Sequence, residues 1–64
     1  MISESERKVL EIVREKGLVR KVELGQSISV ANSLKDKGYL RKVVLGEDAF
    51  VITIRGSMVL NSKE

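Results

Sequence analysis

With 64 residues, 42% of them hydrophobic and 33% charged, the chain has room for one small domain over residues 1–64, burying roughly 60% of the surface its unfolded form exposes. Its apolar runs, such as Val43-Val44-Leu45, fall far short of the roughly 20 residues that cross a bilayer, and Met1-Ile2 leads straight into charged sequence, so the expectation is a cytoplasmic chain with no membrane partner. Lacking cysteine and histidine, and with five glycines scattered singly, it has no disulfide framework, no usual zinc ligand set, no phosphate loop and neither the commonest general base nor the best nucleophile; no enzyme activity, metal or cofactor is expected.

The first helix is expected over about 4–16. Ser3 and Glu6 have the S-x-x-E spacing of a capping box, in which the serine oxygen takes a free backbone N–H and the glutamate reaches back. Val9, Leu10, Ile12 and Val13 give an apolar stripe at helical spacing, the other side is charged, and Gly17 follows Lys16 as a stop. A short second helix is expected from about Arg20 to Gln26, with Val19, Val22 and Leu24 as its apolar positions. Gly25 counts against it by roughly 1 kcal/mol.

The third element, about 29–37 with Ser27 or Ser29 as its N-cap, is the one that suggests chemistry. At 100° per residue Val30, Ala31 and Leu34 share one face. Ser29, Asn32, Ser33 and Asp36 share the other, with Lys35 on a flank. An outward face of serine, asparagine and lysine suits a helix that reads nucleic acid, although it equally suits a solvated face on a core helix. Gly38 ends the helix, with Lys37 near the negative end of its dipole.

Beyond Gly38 the composition turns to β. Residues 40–45 and 49–52 are rich in β-branched side chains and are separated by Gly46-Glu47-Asp48, the pattern of a hairpin. Phe50 and Ile52 alternate onto one face; in the first strand either Val43/Leu45 or Leu40/Val44 could point inward. Both faces of the hairpin read as apolar, which marks a candidate interface. A last short helix is expected over about 54–61, with Thr53 as its N-cap and Ser62-Lys63-Glu64 as a frayed tail.

The formal net charge is +3, and it is unevenly spread. Residues 1–16 sum to zero and 43–64 to −1. Residues 17–42 carry +4, through Arg20, Lys21, Lys35, Lys37, Arg41 and Lys42 against Glu23 and Asp36. The positive charge thus collects on the segment that holds the candidate reading helix, as a phosphate-binding footprint requires.

The order of helices and hairpin, α+β with three helices followed by a two-stranded wing and a short terminal helix, resembles the winged helix-turn-helix domain. Two motifs carry the resemblance. Lys37-Gly38-Tyr39-Leu40 is similar to the segment that closes the recognition helix and enters the wing. Phe50-Val51-Ile52-Thr53-Ile54-Arg55-Gly56 is similar to the [YF]-x-[LI]-T-x-x-G that ends the wing in MarR- and PadR-like regulators. The resemblance covers roughly residues 5–60, and implies transcriptional regulation through double-stranded DNA. Two departures are the short second helix and the acidic tip Gly46-Glu47-Asp48, where such wings usually offer a cation.

On this reading the 29–37 helix enters the major groove, where the Asn32 amide can pair with adenine. Ser29 and Ser33 reach bases or phosphates, as does Lys35, while Arg20, Lys21, Arg41 and Lys42 hold the backbone. Ser27 and Lys37 complete the expected DNA-binding set. A homodimer through the apolar wing or the terminal helices is expected. The rival expectation is a protein–protein interaction module that uses the apolar hairpin.

Overall fold

The computed structural model describes residues 2–44 and 46–61. Helix α1 (Glu4–Lys16) begins at the capping box: Ser3 Oγ accepts from the Glu6 N–H at 3.2 Å, and Glu6 Oε1 accepts from the Ser3 N–H at 2.8 Å. Val9, Leu10 and Val13 are buried on one side of it. Ile12, expected in the same stripe, is turned away and 45% exposed.

The next segment departs from the expected helix over 20–26. Val19–Arg20 forms a short strand, β1, and is followed by a single helical turn, α2 (Lys21–Leu24). Gly25, at φ +54°, turns the backbone out of the helical region and opens a 3-10 turn over Gly25–Ser27. A side chain there would be strained, so the glycine that weakened the expected helix is what ends it.

Helix α3 (Ile28–Asp36) follows directly, one residue earlier at each end than expected. Ser27 stands at its N-cap position without a side-chain hydrogen bond, so neither serine acts as the expected cap. Ala31 and Leu34 are fully buried, and Ile28 and Val30 are half-buried against the core. The other end is closed by paired backbone bonds. Tyr39 N–H donates to Leu34 O at 2.9 Å and Gly38 N–H to Lys35 O at 3.0 Å, the Schellman arrangement, with Gly38 at φ +88° as its left-handed residue.

Strands β2 (Leu40–Val44) and β3 (Asp48–Ile52) form the hairpin. The sheet has three antiparallel strands rather than two, because β1 pairs with the far edge of β3 in the order β1-β3-β2. Val19 lies opposite Phe50, and Leu40 opposite Ile52. This register resolves the ambiguity of the first strand: Leu40, with Val19 and Phe50, faces the core. Val44 shares their side but lies at the outer end of the hairpin and is 69% exposed. Leu45 lies outside the described residues, as does the tail Ser62-Lys63-Glu64.

Helix α4 (Ile54–Asn61) starts where Thr53 caps it, the Gly56 N–H donating to Thr53 Oγ1 at 3.1 Å. The same hydroxyl lies 2.8 Å from Gly38 O and 3.0 Å from Tyr39 O, and Thr53 N–H donates to Tyr39 O at 3.1 Å. Gly56 is buried against this turn. A Cβ on it would run into the Tyr39 carbonyl oxygen and lie 2.8 Å from Ile52 Cγ1. Arg14 of α1 donates to Asn61 Oδ1 at 3.1 Å, closing α4 onto α1. The core is one cluster, with Phe50, Leu10, Leu34, Val13 and Val19 its largest fully buried members. No helix among the described residues is long and apolar enough to cross a membrane.

Candidate functional site

Because α3 buries Ala31 and Leu34, its opposite side is turned outward. Ser29, Asn32 and Asp36 are exposed; Ser33 and Lys35 are half-buried. These positions follow one another at three- and four-residue steps, so they form a continuous polar ridge. Asp36, the only carboxylate on the ridge, sits in its last turn. Ser27, in the 3-10 turn before α3, is half-buried.

The six basic side chains expected around this ridge divide into two groups. Lys21, Lys35 and Arg41 make no ion pair among the described residues. The other three are already engaged by carboxylates of the same chain. Arg20 Nη1 lies 3.1 Å from Glu47 Oε2 at the hairpin tip, and its Nε lies 3.5 Å from Glu23 Oε2. Lys42 Nζ lies 3.4 Å from Asp48 Oδ2 across the hairpin. Lys37 Nζ lies 2.8 Å from Glu6 Oε2 at the start of α1.

Nor do the basic residues share one surface. Successive strand residues point to opposite sides of a sheet. Arg41 pairs with Val51, and Arg20 with Ala49, so both arginines lie on the face away from the core. Lys42 pairs with Phe50 and lies on the core side, beyond the packed cluster. Arg41 and Lys42, both expected to hold the DNA backbone, therefore lie on opposite faces of the hairpin.

The outward-facing sheet surface is less apolar than the alternation suggested. Val43 and Val51 are half-buried, Ala49 is buried, and the two arginines flank them. The most exposed apolar side chains lie elsewhere as well as on the hairpin: Ile54 (82%), Val22 (74%) and Met58 (65%), beside Val44. Ile54 and Met58 are one turn apart on α4, next to half-buried Tyr39 and Val59.

The ion pairs leave their mark on the acids. The Lys37 ammonium, followed by the Ser3 N–H, holds the Glu6 carboxyl below its ordinary range. Lys16, at 3.2 Å, and then the Arg20 N–H do the same for Glu23. Glu47 raises the pKa of Arg20 further, with a smaller push from Glu23. The acidic hairpin tip is visible in the sequence but its partner Arg20 is not, because only the pairing of β1 with β3 brings Arg20 beside Glu47. The Glu6–Lys37 pair spans 31 positions and had no local signal. No group of acidic side chains suited to a metal ion occurs among the described residues.

No protein-family model, curated protein or solved structure matches the chain.

Proposed function

We propose that this chain is a small winged helix-turn-helix protein that binds double-stranded DNA in a sequence-dependent way and acts as a transcriptional regulator. The observation that carries the proposal is the polar ridge of α3, with Ser29 and Asn32 exposed and Lys35 beside them, on a domain whose middle segment, Lys21 at the start of α2 included, holds the positive charge. The major groove admits one α-helix, and Asn32 offers the two-pronged amide that adenine accepts. Lys21, Lys35 and Arg41, which have no carboxylate partner among the described residues, supply the phosphate contacts. Glu47 makes the hairpin tip a poor phosphate grip, so the wing contributes through Arg41 at its base. The proposal includes a homodimer, for which exposed Ile54 and Met58 on α4 and Val44 on the hairpin supply apolar surface.

The test is fluorescence polarisation on random duplex DNA at several salt concentrations. Each phosphate contact contributes about 0.9 to the slope of log K against log salt. Lys21→Ala, Lys35→Ala and Arg41→Ala should each lower the slope by about that amount. Asn32→Ala should leave the slope alone and reduce discrimination at one base pair of a selected site by about 1–3 kcal/mol. Unchanged slopes in all three basic variants would reject the footprint.

A second reading, a protein-interaction module, is favoured by the exposed apolar side chains on α2, α4 and the hairpin. It gains if the wild type shows no salt-dependent binding to any duplex.

A further inference from the structure

The basic residues near α3 do not have one role. Lys37 is set apart by the carboxylate it meets. Glu6 is 12% exposed, and one of its oxygens is already fixed at 2.8 Å by the Ser3 N–H, so its second oxygen is aimed before Lys37 arrives. The capping box therefore presents a pre-oriented anion at the start of α1, in the angle between α1 and the end of α3. Lys37 reaches across that angle at 2.8 Å.

The other contacts that hold α3 are an apolar stripe and the turn at its end. Over nine residues only Ala31 and Leu34 are fully buried. Ile28 and Val30 pack half-buried beside them, so the apolar contacts lie on one side of the helix and a contact at its end can bias its angle against α1. The N-terminal end emerges from a 3-10 turn, packs Ile28 against the core and has no side-chain cap from Ser27. The C-terminal end is tied by the Thr53 hydroxyl at Gly38 and Tyr39 and, on the α1 side, by Lys37.

Resting on the DNA-binding reading of α3, we propose that Glu6 and Lys37 form a positioning pair that sets the angle of α3 against α1, and that Lys37 is withheld from DNA phosphates. Glu6 serves two elements with one carboxylate: it caps α1 and aims the reading helix. The basic footprint that senses salt then excludes Lys37.

Glu6→Gln and Lys37→Gln test this, singly and together. Glutamine at position 6 keeps an oxygen for the Ser3 N–H, so the capping box survives while the charge is lost. Both single variants should change the angle between α1 and α3, read from amide residual dipolar couplings. Both should lower the preference for a selected site over random duplex by about threefold to tenfold, with the double variant no worse than either. The salt slope should stay at the wild-type value in all of them.

The opposite pattern overturns the proposal. If Lys37 holds a phosphate, Lys37→Gln lowers the slope by about 0.9, and Glu6→Gln, which frees the lysine, tightens binding to random duplex. Dipolar couplings unchanged in both variants also overturn it. If the wild type binds no duplex at all, the DNA-binding reading falls, and the dipolar couplings alone decide whether the pair orients α3.

Discussion

At the C-terminal end of α3 the backbone is closed by a Schellman pair of bonds, the next carbonyls are held by Thr53, Gly56 of α4 presses against the turn, and Lys37 is tied to Glu6. At the N-terminal end, a 3-10 turn leads in, no side chain caps the first N–H groups, and the neighbouring α2 is a single turn with only Leu24 buried. One short helix thus has a fixed end and a loosely held one. The difference shows what the two turn motifs of the chain do. Lys37-Gly38-Tyr39-Leu40 and the Thr53-x-x-Gly56 tetrad meet at the fixed end, where they hold α4 and the hairpin against the helix. Ser29, in the first turn, and Asn32, at the middle of the helix, lie away from that junction.

The largest break in this comparison is expected at Gly56. Elsewhere in a helix, glycine to alanine gains about 0.5–1 kcal/mol. Here the added methyl meets a backbone carbonyl that already accepts from the Thr53 N–H, so relief requires the turn itself to shift. Gly56→Ala should therefore destabilise by about 1–3 kcal/mol, the usual cost of overpacking. Urea midpoints compared with wild type measure it. A stabilised variant would mean the α3–α4 junction is not tightly packed.

Thr53→Ala comes next. It removes the cap of α4 and the hydroxyl that reaches the Gly38 and Tyr39 carbonyls, and should cost about 1–2 kcal/mol. Thr53→Ser, which keeps the oxygen, should recover most of that loss. If serine is no better than alanine, the methyl rather than the hydroxyl matters.

The looser end supplies the contrast. Ser27→Ala should change stability by less than about 0.5 kcal/mol, because the side chain makes no cap bond to lose. A loss near 1 kcal/mol would show that Ser27 does cap α3 in solution.

How far this fold can be read from sequence follows the same division. Elements whose signals are local were legible: the Ser3/Glu6 box gave α1 its bounds, Gly38 gave the end of α3, and Thr53 the start of α4. The inward set of α3 was legible too, since Ala31 and Leu34 follow from helical spacing. The stretch from Val19 to Ser27 was not. Val19 and Arg20 become a strand only because β3 offers them an open edge, a partner about thirty residues away. Without that strand, the pairing of Arg20 with the acidic hairpin tip could not be anticipated. The split of Arg41 and Lys42 between two faces likewise waited on the register, which Leu40 opposite Ile52 decides.

The smallest expected effect concerns acid, and it compares a carboxylate at each end of the site. Glu6 and Glu23 are both held below the ordinary glutamate value of 4.5, Glu6 chiefly by Lys37 and Glu23 chiefly by Lys16. An unfolded chain takes up these protons at a higher pH than the folded one does. Each carboxylate therefore contributes its full stabilisation above about pH 4.5, and that contribution drains away as pH falls through the lowered folded value. Wild-type urea midpoints should fall between pH 6 and pH 3, and Glu6→Gln and Glu23→Gln should each flatten the fall. Salt separates the two. Glu23 is 33% exposed and Lys16 54%, against 12% for Glu6 and 46% for Lys37, so half-molar sodium chloride should screen the Glu23 pair more than the Glu6 pair. In high salt the difference between Glu23→Gln and wild type should shrink more than that between Glu6→Gln and wild type, the part of each shift that comes from a backbone N–H remaining in both. If salt erases both differences equally, the Glu6–Lys37 pair is as exposed in solution as any surface pair, and the fixed end of α3 is held by Thr53 and Gly56 without it.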